Sequence, residues 1–493
     1  MINNFIADQI RANFGFEPTF EQSTVIGQLS DFLLSSEPAG CFLLHGFAGT
    51  GKTTLVGALV RTLDALGQHV VLMAPTGRAA KVFALHSGHD AYTIHRRIYR
   101  QKSLATNDAL FSLSENKARN TLFIVDEASM ISDDGYGSSF GSGRLLDDLI
   151  SFVYQGEGCR LMMMGDTAQL PPVGQEESPA LSADVLRQYG LSVFGAELTQ
   201  VMRQGDVSGI LEDATAIRER IGLMAAQPFS TTLRSPLKLK CFPDVVSISG
   251  AELIDTLIDC YDHIGMDDTI VICRSNKNAN IYNRGIRATI LYYEEELNTR
   301  DQVMIVKNNY FWVKQNAQAA PLQADETETQ RVPTFLANGD MAVIRRVRRV
   351  REMYGFRYAD VLLSFPDYDD YELQATVLLN TLTSESPSMT KDENDRLFNA
   401  VMEDYQDIPN KAERYKQLRE NPYFNALQIK FSYAVTCHKA QGGQWSTVIL
   451  DQGWLPPESI GTKEYYRWLY TAFTRATDRV YLVNWRKEEL EKE

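Results

Sequence analysis

What this sequence lacks narrows its class first. Cysteine is sparse, six in 493 residues, and no two stand as a CxxC pair. That excludes the usual zinc modules and thiol redox motifs. Scattered single cysteines fit a reducing compartment, so the expected location is the cytoplasm. No apolar run is long enough to cross a bilayer. The first twenty residues carry Asp8, Arg11 and Glu17 and have no continuous apolar core, which argues against a secretory signal. No membrane partner is expected. An excess of positive charge is also missing: 49 Lys and Arg stand against 63 Asp and Glu, a formal net charge of −14. A chain-wide basic footprint for nucleic acid is therefore absent. Any such contact has to sit in one local groove, where net charge has little say. No internal repeat or low-complexity tract is visible.

What is there is an ordinary globular composition, 44% hydrophobic and 23% charged. The length implies several domains. Residues 41–45, 70–73, 121–125 and 161–164 are short continuous apolar runs, and Leu55–Leu66 between the first two reads as a helix. Buried parallel strands have this texture, so the expected class is α/β with a doubly wound parallel sheet. Residues 269–273, 448–450 and 480–483 repeat it and predict a second α/β domain. Between them, 302–307, 341–351 and 358–365 mix polar and apolar residues, as antiparallel strands of a small β-barrel do. Asn316–Pro333 is polar and acidic and reads as a loop, and Ser384–Asn425 reads as charged and mostly helical.

Gly46-Phe-Ala48-Gly49-Thr50-Gly51-Lys52-Thr53-Thr54 fits GxxxxGK[ST] between an apolar strand and a helix. Backbone N–H groups of such a loop turn inward around phosphate, and the helix adds its positive end. Lys52 supplies a charge at the β- and γ-phosphates, and Thr53 a hydroxyl ligand for Mg²⁺. Phe123-Ile-Val-Asp126-Glu127 delivers two carboxylates at a strand's C-terminal end, where ligands collect in these sheets. Asp126 suits the Mg²⁺ shell, and Glu127 suits activation of the attacking water. The expected cofactors are ATP and Mg²⁺.

Further motifs make the resemblance specific. Gly165-Asp166-Thr-Ala-Gln169-Leu-Pro-Pro-Val-Gly174 resembles motif III of superfamily 1 helicases. Glu21-Gln22 resembles the adenine-reading Q motif, Leu198-Thr-Gln-Val-Met-Arg203-Gln204 motif IV, and Leu469-Tyr-Thr-Ala-Phe-Thr-Arg475 motif VI. Ala74-Pro75-Thr76-Gly77-Arg78-Ala-Ala-Lys81 resembles motif Ia, and Tyr433-Ala-Val-Thr436-Cys-His438-Lys439-Ala-Gln-Gly-Gly-Gln444 motif V. With Thr93-Ile-His95-Arg96, the order matches the RecD/Dda-like branch from Thr19 to about Val483.

The resemblance implies two RecA-like parallel-sheet domains, a Src-homology-3-like barrel insertion and a β-hairpin pin. It places the first domain at 1–200 with the hairpin at 97–120, the second at 201–301 and 426–493, and the insertion at 302–425. It implies γ-phosphate contacts by Gln169, Arg203 and Arg475 and an adenine contact by Gln22. The nucleotide sugar falls to Gln444, where relatives often carry Glu. Nucleic-acid contacts fall to Pro75, Thr76, Gly77, His95, Thr436, His438 and Lys439. The implied activity is ATP-driven 5′-to-3′ travel on single-stranded DNA with opening of duplex forks, in repair, recombination or replication. In the hairpin, Tyr99 and Phe111 flank the turn-like Thr106-Asn107-Asp108. An aromatic near its tip would stack on the last base pair, or both aromatics pack the hairpin onto its domain. The Arg345–Arg351 run either faces DNA or is a solvated strand face. The other readings are a non-motor ATPase switch, a motor subunit of a nuclease complex, and a UvrD-like motor of opposite polarity.

Overall fold

Apolar runs too short for helices bury both faces only inside a sheet covered on each side. The computed structural model describes residues 2–101, 111–133, 141–201, 208–227, 237–319, 333 and 335–491. There the first runs form a parallel sheet in the order Ala91–Thr93, His69–Ala74, Thr121–Val125, Arg160–Gly165, Gly40–Gly46, Ser192–Leu198. Its central strand Thr121–Val125 is buried at every position. Ser192–Leu198 is an edge strand with a mostly half-buried face, which is why it carries no apolar run.

The second parallel sheet runs Val245–Ile248, Ala476–Val483, Trp445–Asp451, Thr269–Cys273, Ala434–Thr436. Strands from residues 245–273 thus pair with strands from 434–483, and the intervening chain is an insertion. Within it Gln302–Ile305, Met341–Met353, Phe356–Phe365, Tyr371–Leu378 and Leu427–Phe431 close a barrel. The last strand pairs in parallel with Tyr371–Leu378 and antiparallel with Gln302–Ile305. The barrel therefore extends past the expected boundary at 425, because closure needs a strand after the helical segment. That segment contains the helices Lys391–Glu403 and Lys411–Glu420.

The loop expected from Asn316 needs correction. Helix Phe311–Ala319 runs into the stretch read as loop from Asn316. The Asn316 amide donates to Trp312 O and Gln374 O, each over 2.9 Å, which ties the helix end to the barrel. The hairpin exists as Tyr99–Gln101 paired antiparallel with Phe111–Leu113, and Tyr99 takes the packing alternative. Tyr99 is 8% exposed and donates its hydroxyl to the buried Asp148 over 2.7 Å, pinning the hairpin base onto helix Leu145–Gln155. Residues 102–110, where the stacking tip was expected, lie outside the described residues. Among the described residues no helix is long and apolar enough to cross a membrane.

Candidate active site

The P-loop leaves strand Gly40–Gly46 and enters helix Lys52–Ala65. Gly51 sits at the helix N-cap with φ 81, a left-handed conformation that favours glycine, and no side chain caps the first turn. A Cβ there would lie 2.7 Å from Gln22 Nε2. Open backbone N–H groups at a helix start suit a phosphate. Lys52 folds over the loop and donates to Gly46 O (2.6 Å) and Phe47 O (2.8 Å). Gln22 is buried and braces the loop. It donates to Thr50 O over 3.1 Å and accepts from Thr19 N–H over 3.0 Å, closing a capping box. One amide hydrogen and one lone pair remain free for a base edge. Neighbouring Glu21 accepts from the backbone N–H groups of Thr199 (2.7 Å) and Gln200 (2.8 Å), tying the Q motif to the strand that leads into motif IV.

Asp126 and Glu127 follow strand Thr121–Val125. Glu127 takes φ 50 and donates its N–H to Asp126 Oδ1 over 2.7 Å. Burial pushes the Asp126 carboxyl up to about 7, and the Glu127 charge adds to the rise. Asp166, 1% exposed, is likewise raised by burial, against the pull of Lys52. Gln169 is buried, and its Oε1 has no hydrogen-bond partner among the described residues.

The second domain completes this site. Helix Lys463–Phe473 donates the Tyr470 hydroxyl to Asp166 Oδ2 over 2.6 Å, and the same hydroxyl accepts the Ala48 N–H over 3.0 Å. Thr471 Oγ1 accepts from Leu170 N–H (2.8 Å), and Gln441 donates to Leu170 O (2.8 Å). Arg467 and Lys463 both reach Glu177, at 2.6 and 2.5 Å. Arg475 is 4% exposed, held by Thr471 O and Gly443 O, with Nη1 3.9 Å from Glu127. Tyr470, Thr471 and Arg467 escaped the sequence reading. The one available signal was hydroxyls inside the apolar stretch Leu469–Phe473. Arg203 and Gln204 lie outside the described residues.

The expected nucleic-acid residues are brought together only in part. Thr76 uses its hydroxyl to cap helix Gly77–Ser87, accepting from Ala79 N–H. Gly77 is covered by the barrel: a Cβ there would lie 2.4 Å from Asp340 Oδ1 and 2.7 Å from Tyr368 Oη. Lys81 donates to Pro366 O over 2.8 Å. Arg78 lies over the Trp445 ring at 4.0 Å and donates to Gln444 O. The turn expected to be open to phosphate is thus held between barrel and motif V. Burial pushes the His95 imidazole down to about 4, leaving it neutral at pH 7, and its ring stands 5.6 Å from Tyr99. Thr436 begins the short helix Cys437–Ala440, His438 is exposed, and Lys439 donates to Asn338 Oδ1. The Gln444 side chain is exposed, beside a carbonyl already engaged by Arg78. Arg345 and Arg351 pair with Asp370 and Asp360.

Residues 30–226 match the family model described as AAA domain, and residues 431–483 match UvrD-like helicase C-terminal domain. The two matches fall on the P-loop sheet and on motifs V and VI. At 24% identity over 474 residues, the chain is similar to the ATP-dependent RecD2 DNA helicase of Deinococcus radiodurans, covering 94% of this chain and 48% of that protein. These likenesses, like the order of the motifs, are to P-loop helicases. The chain is also 29% identical over 178 residues to the ATP-dependent DNA helicase dda of Enterobacteria phage T4, covering 36% of the one and 37% of the other. It thus spans about half or less of the length of these two relatives. A solved Pif1 helicase from Candida albicans aligns with a TM-score of 0.45 at 15% identity, over 96% of each chain.

Proposed function

We propose that the chain is an ATP-driven motor that moves 5′ to 3′ on single-stranded DNA and separates duplexes. The observation that carries this reading is the Tyr470 hydroxyl, which joins P-loop Ala48 to Asp166 from the second domain. Phosphate arriving at the loop competes for the Ala48 N–H, so occupancy of the site and contact between the domains share one set of bonds. Strain at that seam becomes movement when the second domain is free to swing. The two helicase relatives supply the substrate class.

In the chemistry, Lys52 leaves its carbonyl partners for the β- and γ-phosphates. Thr53 and Asp126 would hold Mg²⁺; a hydroxyl and a carboxylate at the end of the P-loop sheet are a fitting oxygen donor set. The metal ion, when bound, neutralises charge on the phosphate oxygens. Glu127 takes the proton of the attacking water. Arg475, and by resemblance Arg203, face the charge that spreads over the transferring phosphoryl, while Gln169 reads its departure. Gln22 is assigned to the adenine edge and Gln444 to the ribose.

The test is ATP hydrolysis with and without single-stranded DNA. We expect DNA to stimulate turnover, and Lys52→Ala and Glu127→Gln each to abolish it. The two variants should differ in kind: Lys52→Ala loses nucleotide binding, whereas Glu127→Gln keeps ATP bound and uncut. Turnover that ignores DNA contradicts the motor reading, and near-normal turnover in Glu127→Gln removes that residue as the base.

A further inference from the structure

Lys430 and Lys439 stand within range of each other's charge where motif V, the barrel and residues 384–394 converge, and Lys307 reaches the same segment at Asn394. Lys430 lies on barrel strand Leu427–Phe431, opposite Met304, and is only 9% exposed. A lysine this buried is almost always paired with a carboxylate. Lys430 instead donates to the carbonyl of Ser384. Lys439 of motif V donates to the side-chain oxygen of Asn338. Lys307, just past strand Gln302–Ile305, reaches Asn394 Oδ1 at 3.4 Å. The loop between them is continuous, since Asn338 N–H bonds Asn308 Oδ1 over 2.6 Å and Gly339 N–H bonds Ile305 O over 2.8 Å.

Every one of these partners is a neutral oxygen. Among the described residues none of the three lysines forms an ion pair. The acid beside Asn394, Glu393, is spent on the Thr390 N–H and hydroxyl. Among the described residues each ammonium, with three donors, uses one. Burial lowers both Lys430 and Lys439 to about 8, and for Lys439 the Lys430 charge adds to the fall. Two like charges this near each other in a chain of net charge −14, with no carboxylate paired to either among the described residues, leave a place for an anion.

We propose that Lys307 and Lys430 extend the motif V lysine, Lys439, into a phosphate-binding trough that holds the backbone of the single strand at the seam of the second domain and the barrel. The proposal rests on the nucleic-acid motor reading and adds to it two phosphate-binding side chains outside the helicase motifs. It also gives residues 384–394 a task, because Ser384 and Asn394 position two of the three ammonium groups. Backbone contacts of this kind fix the strand without reading its bases.

The test is the salt dependence of binding to an oligothymidylate and to a mixed-sequence oligonucleotide of the same length. For single strands the slope of log K against log salt changes by roughly 0.7 for each phosphate that is no longer neutralised. We expect Lys307→Gln and Lys430→Met each to lower the slope by about that amount, equally on both oligonucleotides, and Lys430→Arg to restore it. Thermal midpoints identify any variant that fails to fold. If Lys430→Met does not fold, the exposed Lys307→Gln decides. Unchanged slopes in folded variants, with a parent chain that binds DNA, overturn the trough and leave the motor reading standing. A parent chain that binds no single strand ends both.

Discussion

Ala48 of the P-loop donates its N–H to the Tyr470 hydroxyl of the second domain over 3.0 Å, across 422 residues of sequence. The same hydroxyl donates to Asp166, so a single side chain reads both the phosphate loop and the motif III carboxylate.

Replacing Tyr470 with Phe removes both bonds and keeps the ring that packs the helix. A hydrogen bond to a charged group contributes about 1.5–3 kcal/mol, which is roughly ten- to a hundredfold in rate where it acts on the transition state. We expect kcat for DNA-stimulated ATP hydrolysis to fall by about tenfold or more, with a smaller change in KM. Steady-state kinetics at saturating DNA measure this. A KM effect alone would make Tyr470 a binding brace rather than a link between domains.

Much of this fold was legible because its strands announce themselves. Residues 41–45, 121–125 and 269–273 are continuous apolar runs, and all became buried strands. The P-loop and the Asp126-Glu127 pair are local motifs, and local motifs survive translation into structure. What escaped depends on partners distant in sequence. The role of Tyr470 is defined by Asp166, 304 residues away. Gly77 looks like an open phosphate turn until Asp340 of the barrel is brought against it. The edge strand Ser192–Leu198 and the closing strand Leu427–Phe431 were missed as well. The first is not buried enough to need an apolar run, and the second is defined by closure of the barrel.

The docking of the barrel on helix Gly77–Ser87 has its own consequence. A Cβ at Gly77 meets Asp340 Oδ1 at 2.4 Å and Tyr368 Oη at 2.7 Å, so Gly77→Ala has to push the barrel away. Overpacking of this kind costs about 1–3 kcal/mol. We expect faster amide hydrogen exchange at 337–340 and 366–368 in Gly77→Ala, and recovery when Asp340→Gly is added to make room. Unaltered exchange in the single variant would show that the barrel yields without opening.

Asp340 also sets a pH dependence. It is fully buried, and burial raises its carboxyl to about 7, with the Asp367 charge adding to the rise against bonds from Ala337 N–H and Tyr368. Between an unfolded value near 3.8 and about 7 the folded chain holds a proton that the unfolded chain has released. Stability contributed by this group therefore falls as pH rises through that window and stays low above it. Asp340→Asn keeps an acceptor and removes the charge. Thermal midpoints from pH 5 to pH 8 should decline less in Asp340→Asn than in the parent. Parallel curves would mean that Asp340 does not titrate in this range.

A motor of this kind separates strands in one direction and only with ATP. Its most direct measurement uses one duplex carrying either a 5′ or a 3′ single-stranded tail, with and without ATP. We expect the 5′-tailed duplex to be separated only when ATP is present, and Glu127→Gln to be inert on both. Equal separation from both tails, preference for the 3′ tail, or separation that needs no ATP would contradict it.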